Sequence, residues 1–161
     1  MDVRPGEERD LEQLNELYNH YVRTSPVTFD LDEISMQARR EWFESFGGRY
    51  RLFVAVEGER VLGYAHSKQF RPKQAYETSV ETTVYIAHDS VGRGLGRGLY
   101  RVLFDGLASE DIHRAYAGIT VPNPASFALH ESFGFRQVAY FTEQGRKFER
   151  YWDVAWLEKE L

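Results

Sequence analysis

Four glycines on alternate positions, Gly92, Gly94, Gly96 and Gly98, are interleaved with Arg93, Arg97 and, one turn on, Arg101. Glycines let backbone N–H groups crowd toward a ligand, and a helix starting among them adds unpaired donors and a positive dipole end. Together these make a seat for phosphate. Two common phosphate loops do not fit. The dinucleotide fingerprint G-x-G-x-x-G fails because Gly92 and Gly94 would need glycine at Arg97, and Gly94 and Gly96 would need it at Leu99. A triphosphate loop ends in Gly-Lys-Ser/Thr, a triplet the chain lacks. The plain alternative is a tight strand-to-helix turn in an ordinary α/β domain.

Just upstream, Glu81 stands inside an alternating run. Val80, Thr82, Val84 and Ile86 point one way, and Ser79, Glu81, Thr83 and Tyr85 the other. A charge in mid-strand is either solvated or used. If partly desolvated, its raised pKa suits it to take a proton. Asn123 and His130 lie two helical turns apart and so share one face. An imidazole titrates near neutrality and can act as acid or base, although a lone helix histidine is more often a surface or satisfied core residue.

The elements that must position these groups follow from periodicity. Val3 and Arg4 end a first strand. Leu11, Leu14, Leu17, Tyr18, Tyr21 and Val22 mark the apolar face of a helix, and a second helix spans about Ile34 to Phe46. Leu52–Val56 and Arg60–Phe70 form strands around the hairpin turn Glu57-Gly58-Glu59, and with the Glu81 strand they make an antiparallel meander. After the glycine turn, Leu95, Leu99, Val102, Leu103 and Leu107 recur at helical spacing. Ala115–Val121 is a strand parallel to the Glu81 strand, because a helix connects the two. Asn123 and Pro124 open a short helix that Gly134 closes. Gln137–Thr142 and Lys147–Trp156 are expected to pair around Glu143-Gln144-Gly145. The result is an α/β (α+β) fold, a mixed and mostly antiparallel central sheet with helices on both faces.

At 161 residues the chain reads as one domain, 1–161, large enough for a proper core. A net charge of −5 without a long basic run argues against a nucleic-acid surface. The absence of cysteine excludes disulfides, zinc–thiolate sites and a thiol nucleophile. Histidines and carboxylates show no ligand-like clustering, so no metal is expected. The start, MDVRPGEERD, does not read as a secretory leader, and no apolar run reaches the roughly 20 residues of a membrane helix. A cytoplasmic protein with no membrane partner is the expectation.

With the element order in place, the chain resembles the GNAT superfamily of acetyl-CoA-dependent N-acetyltransferases. Val91-Gly92-Arg93-Gly94-Leu95-Gly96 is similar to the family's pyrophosphate loop, departing at Val91, where a polar side chain is usual. Asn19-His20-Tyr21, Thr24-Ser25, Phe29, Val80–Ile86, His130-Glu131 and Trp152-Asp153-Val154 resemble the phosphinothricin acetyltransferase and amino-acid N-acyltransferase subfamily. The segment Arg71–Thr78 departs from that subfamily.

The resemblance implies direct transfer of acetyl from acetyl-CoA to the primary amine of a small amino-acid-like acceptor. Phosphinothricin, methionine sulfoximine and methionine sulfone are the acceptors it suggests. It implies Glu81 as general base, His130 as a proton-transfer group, and Tyr85 beside the thioester. Val84, Tyr85 and Ile86 would run along the pantetheine, and the loop Val91–Gly96 with Arg97 and Asn123 would complete the cofactor site. Phe29 and Tyr76 are candidates for an aromatic acceptor wall, and Arg71, Lys73, Arg146 and Lys147 for holding the acceptor's anionic groups. A homodimer is implied as well. Peptide N-termini, polyamines and a non-catalytic CoA-binding module are the alternatives.

Overall fold

The computed structural model describes residues 2–161. Seven strands form one sheet in the order β1-β2-β3-β4-β5-β7-β6. They are β1 (Asp2–Pro5), β2 (Leu52–Glu57), β3 (Arg60–Gln69), β4 (Ser79–Ile86), β5 (Arg114–Thr120), β6 (Arg136–Lys147) and β7 (Arg150–Glu160). Every neighbouring pair is antiparallel except β4 and β5, which run parallel.

The helices are α1 (Leu11–Thr24), α2 (Met36–Glu44), α3 (Leu95–Leu107) and α4 (Pro124–Ser132). One face of the sheet packs Val54, Val61 and Tyr64 against Leu11, Leu14 and Leu17 of α1. The other packs Leu62, Val80 and Ala115 against Leu99, Leu103 and Leu107 of α3. The leucine spacing in α1 and α3 is that of a helix with one buried stripe. The Asn123 side chain accepts from Ser126 N–H at 3.2 Å and Pro124 takes the first turn of α4. Gly134, at φ +82°, closes that helix in the left-handed region.

The expected elements match the observed ones within a few residues, except at the last hairpin. Its turn lies at Phe148 and Glu149, at φ +53° and +60°, rather than at Glu143-Gln144-Gly145. Glu143 and Gln144 sit inside a bulge of β6, between the pairs Phe141–Val154 and Gly145–Trp152. Asp153 stabilises the bulge, accepting from Glu143 N–H at 2.7 Å and from the Tyr140 hydroxyl at 2.6 Å. A glycine that reads as a hairpin tip therefore serves a different purpose: a Cβ on Gly145 would lie 2.2 Å from the Phe29 ring.

Candidate active site

The parallel pairing of β4 with β5 covers only Ser79–Glu81 against Arg114–Tyr116. Beyond Glu81 the two strands separate, and the sheet opens. Backbone direction alternates along β4, and Ala87 N–H still reaches Leu62 O in β3 at 2.8 Å. The N–H and C=O groups of Val84 and Ile86 therefore face the gap, where no strand meets them. The Tyr21 hydroxyl, donating to Ile86 O at 2.5 Å, reports the same direction. A free strand edge beside a phosphate seat suits an amide-rich chain that can pair with it.

Two cavities meet this opening from opposite faces of the sheet and share Val27, Thr83, Tyr85 and Gly118. On the α3–α4 face a cavity of about 310 Å³ is lined by Val84, Ile86, Val91, Asn123 and His130, among others. Gly92 and Gly94 follow the lining residue Val91, with φ +78° and +76° and open space where a Cβ would lie, and left-handed Gly94 is the N-cap of α3. This geometry turns the first N–H groups of α3 outward. Leu95 contributes only backbone here, since its side chain is buried in the core. A Cβ on Gly96 would meet Leu129 at 3.1 Å, so that glycine sets the contact between α3 and α4. Arg93 pairs with Glu57 at 2.8 Å, and Arg97 is exposed.

His130 is buried on the same side, and both ring nitrogens are engaged. Nδ1 lies 2.7 Å from Ser126 O, which as a carbonyl can only accept, so Nδ1 carries the proton. Nε2 then accepts from the Tyr100 hydroxyl at 2.9 Å, which is 3.4 Å from Thr82 Oγ1. Burial lowers the His130 pKa against a smaller upward pull from the Ser126 carbonyl, so the imidazole is neutral.

On the α1–α2 face a cavity of about 470 Å³ holds Glu81, with Arg39, Trp42, His66 and Asp30 among its other walls. Burial raises the Glu81 pKa, and the charge of Arg71 opposes the shift. His66 is pushed down to about 3, chiefly by burial and then by Lys68 and Arg39. Lys68 itself is lowered to about 8, by burial and by Arg39. The roof of the cavity is the loop after α1. Lys147 Nζ, buried, donates to Thr28 O at 2.9 Å, and the Tyr18 hydroxyl bonds both Thr28 and Asp30. Two asparagines of α1 fix the approach to α2. Asn15 and Asn19 donate to Ile34 O at 2.9 and 3.0 Å, and Asn19 accepts from Ile34 N–H at 2.8 Å.

The residues singled out in the sequence fall into three groups. Glu81, Tyr85, Val84, Ile86, Val91, Asn123 and His130 all line the opening, but Glu81 and His130 lie on opposite faces of the sheet. Tyr85 packs among Tyr18, Tyr21 and Tyr64, with centroids 5.3–5.7 Å away. Phe29 flanks the roof and packs on Gly145, while Arg71 stacks on Phe70 at 4.2 Å within electrostatic reach of Glu81. Lys73, Tyr76 and Arg146 are exposed and take no part in the Glu81 cavity. Nothing in the sequence marks Arg39, Trp42, His66 or Tyr100 as site residues, whereas Lys147, a candidate for the acceptor's anionic groups, is committed to the Thr28 carbonyl. Each looks like an ordinary helix or strand residue until the chain folds, although a period-two reading already puts His66 and Lys68 on one side of β3.

A family profile, the acetyltransferase (GNAT) domain, matches residues 3–156. The chain is 56% identical to a phosphinothricin N-acetyltransferase of Streptomyces coelicolor, covering 100% of this chain and 96% of that protein. It is 31% identical to an L-methionine sulfoximine/L-methionine sulfone acetyltransferase of Salmonella typhimurium, covering 100% of this chain and 95% of that one. A phosphinothricin acetyltransferase from Sinorhizobium meliloti, solved in complex with acetyl-CoA, superposes with a TM-score of 0.95. Its identity is 27%, and the match covers 99% of this chain and 88% of that one.

Proposed function

Because the chain belongs to the GNAT family of acetyltransferases, we propose that it acetylates the primary amine of a small amino acid of the phosphinothricin or methionine sulfoximine kind, taking the acetyl group from acetyl-CoA. The observation that carries this reading is the gap beside β4. A strand edge leads from the glycine turn into a carboxylate-bearing cavity on the opposite face. A cofactor enters from the α3 side and an amine from the α1–α2 side, and they meet in the gap.

Each part has a physical task. The N–H groups at the start of α3, with Gly92 and Gly94 leaving room, receive the pyrophosphate. The edge of Val84 and Ile86 pairs with the amide-rich arm, and an N–H there polarises the thioester carbonyl. Glu81, partly desolvated and so a stronger base than a free carboxylate, takes the proton from the acceptor ammonium so that the free amine can attack. As the C–S bond breaks, the thiolate departs on the Tyr100–His130 face. His130 commits its one proton to Ser126 O, so the thiolate takes its proton from the Tyr100 hydroxyl, which turns that proton from His130 Nε2 to sulfur and is afterwards re-protonated from solvent. We assign Tyr100 that role, with His130 orienting it. The enzyme works in the cytoplasm as a homodimer, the latter supported by Phe141, Phe148 and Tyr151, each about half exposed on the β6–β7 hairpin.

The test is an acceptor screen with acetyl-CoA, reading free CoA release. Phosphinothricin, methionine sulfoximine or methionine sulfone is expected to react, with weaker activity on amines lacking a carboxylate. Turnover of polyamines or peptide N-termini with every amino acid inert would overturn the acceptor assignment. No CoA release with any amine would overturn catalysis.

A further inference from the structure

Arg39 is only 3% exposed. No acidic side chain among the described residues forms a salt bridge with it. Buried guanidinium groups are almost always paired, since a desolvated cation without a counter-charge is costly. This one is held in place without being neutralised. Its Nε donates to Asn15 Oδ1 at 3.1 Å, and Asn15 is itself clamped to the Ile34 carbonyl. Its plane lies between two aromatic faces, 4.9 Å from the Tyr18 centroid and 4.4 Å from that of Trp42. These contacts stabilise a cation and fix its direction. They leave the outer two nitrogens of the fork with no anionic partner, on the wall of the cavity that also holds Glu81. Close by on the same wall, His66 Nδ1 is buried with no hydrogen-bond partner.

We propose that Arg39, stacked between Tyr18 and Trp42, is the residue that holds an oxyanion of the acceptor, with His66 Nδ1 as its neighbouring polar contact. The assignment rests on the amino-acid acceptor reading above and sharpens it. A guanidinium binds a carboxylate or a phosphinate through two parallel N–H···O bonds. An amino acid offers its carboxylate, and phosphinothricin offers an anionic head as well. Arg39 supplies the charge that the exposed cations Lys73 and Arg146 are not placed to supply. An acceptor anchored there is a zwitterion whose ammonium falls to Glu81, which explains why one cavity carries a buried cation and a half-buried carboxylate together.

The experiment is steady-state kinetics of Arg39→Met and Arg39→Lys, folding being checked by circular dichroism. Loss of a charge-assisted pair raises the acceptor KM roughly 10²-fold in Arg39→Met. Arg39→Lys is intermediate. The dissociation constant for acetyl-CoA, read by calorimetry, stays unchanged. An equal rise for phosphinothricin and for methionine sulfone, whose head is neutral, identifies the α-carboxylate as the bound anion. A rise confined to phosphinothricin identifies the head. Should Arg39→Met not fold, competition in the wild-type protein decides. A 2-hydroxy analogue of the acceptor that keeps its anionic groups is expected to compete with it at least tenfold better than the analogue with carboxylate and head both neutral. Unchanged acceptor KM in a folded variant, or equal competition by the charged and neutral analogues, overturns the role of Arg39 while leaving the acetyltransferase reading intact. Wild-type inactivity toward every amino acid would instead fault the acceptor reading itself.

Discussion

Glu81 illustrates how one residue can be poor for folding and good for chemistry. Burial holds its carboxyl above the ordinary range, and the only opposing influence is the charge of Arg71. A carboxyl whose folded pKa is raised stabilises the fold fully below its unfolded pKa, and that contribution is lost as pH rises through the folded value. Above the unfolded value the buried carboxyl is therefore a net cost to the native state. Glu81→Gln is expected to raise the melting temperature at pH 7 while lowering turnover by roughly 10²–10⁴-fold. The acid limb of the wild-type rate profile, set above a free carboxylate, should flatten in the variant. Thermal scans beside initial rates check both halves. A variant that is less stable and near wild-type in turnover would make Glu81 a structural residue. His130 is the contrasting case. Its chemical type suggested a titrating acid or base, yet its two nitrogens are tied to Ser126 and Tyr100 and it stays neutral. Only the folded contacts reveal that Tyr100 is the hydroxyl poised beside it.

At the scale of elements, most boundaries were legible because they rest on neighbours a few positions apart. The alternation of β4, the leucine stripe of α3 and the Asn123-Pro124 start of α4 are of this kind. The last hairpin was misread because Gly145 is a turn signal by type, whereas its real constraint comes from Phe29, more than a hundred residues earlier. This contact carries a prediction. In Gly145→Ala the new methyl would overlap the Phe29 ring at 2.2 Å, so the ring and the loop that roofs the Glu81 cavity must shift. The acceptor KM is expected to rise about tenfold with the acetyl-CoA KM unchanged, because the displaced loop roofs the cavity proposed for the acceptor. Kinetics with each substrate varied in turn would show it. Equal effects on both KM values would mean that the bulge communicates with the whole sheet.

At the scale of the whole molecule, one sheet edge bears on assembly. Val138, Tyr140, Phe141, Phe148 and Tyr151 are 44–55% exposed on the outer hairpin, a concentration of apolar side chains at one sheet edge. Sedimentation equilibrium is expected to give twice the chain mass for the wild type and a single chain mass for Phe141→Glu with Tyr151→Glu. A monomeric wild type would overturn the dimer. Charge, absence of cysteine, element order, the glycine turn and Glu81 in its strand were all determined by the sequence itself. Each is either a composition or a short-range pattern, and backbone geometry translates such patterns directly into helix, strand or turn. Tertiary structure alone decided that β4 and β5 separate beyond Glu81, and that Glu81 and the Tyr100–His130 pair lie on opposite faces. It also decided that Arg39 shares a cavity with a glutamate some forty residues later. The reason is that cavities and buried charges are properties of surfaces brought together by packing. The residues that meet there carry no mark of their partners until the sheet has closed around them.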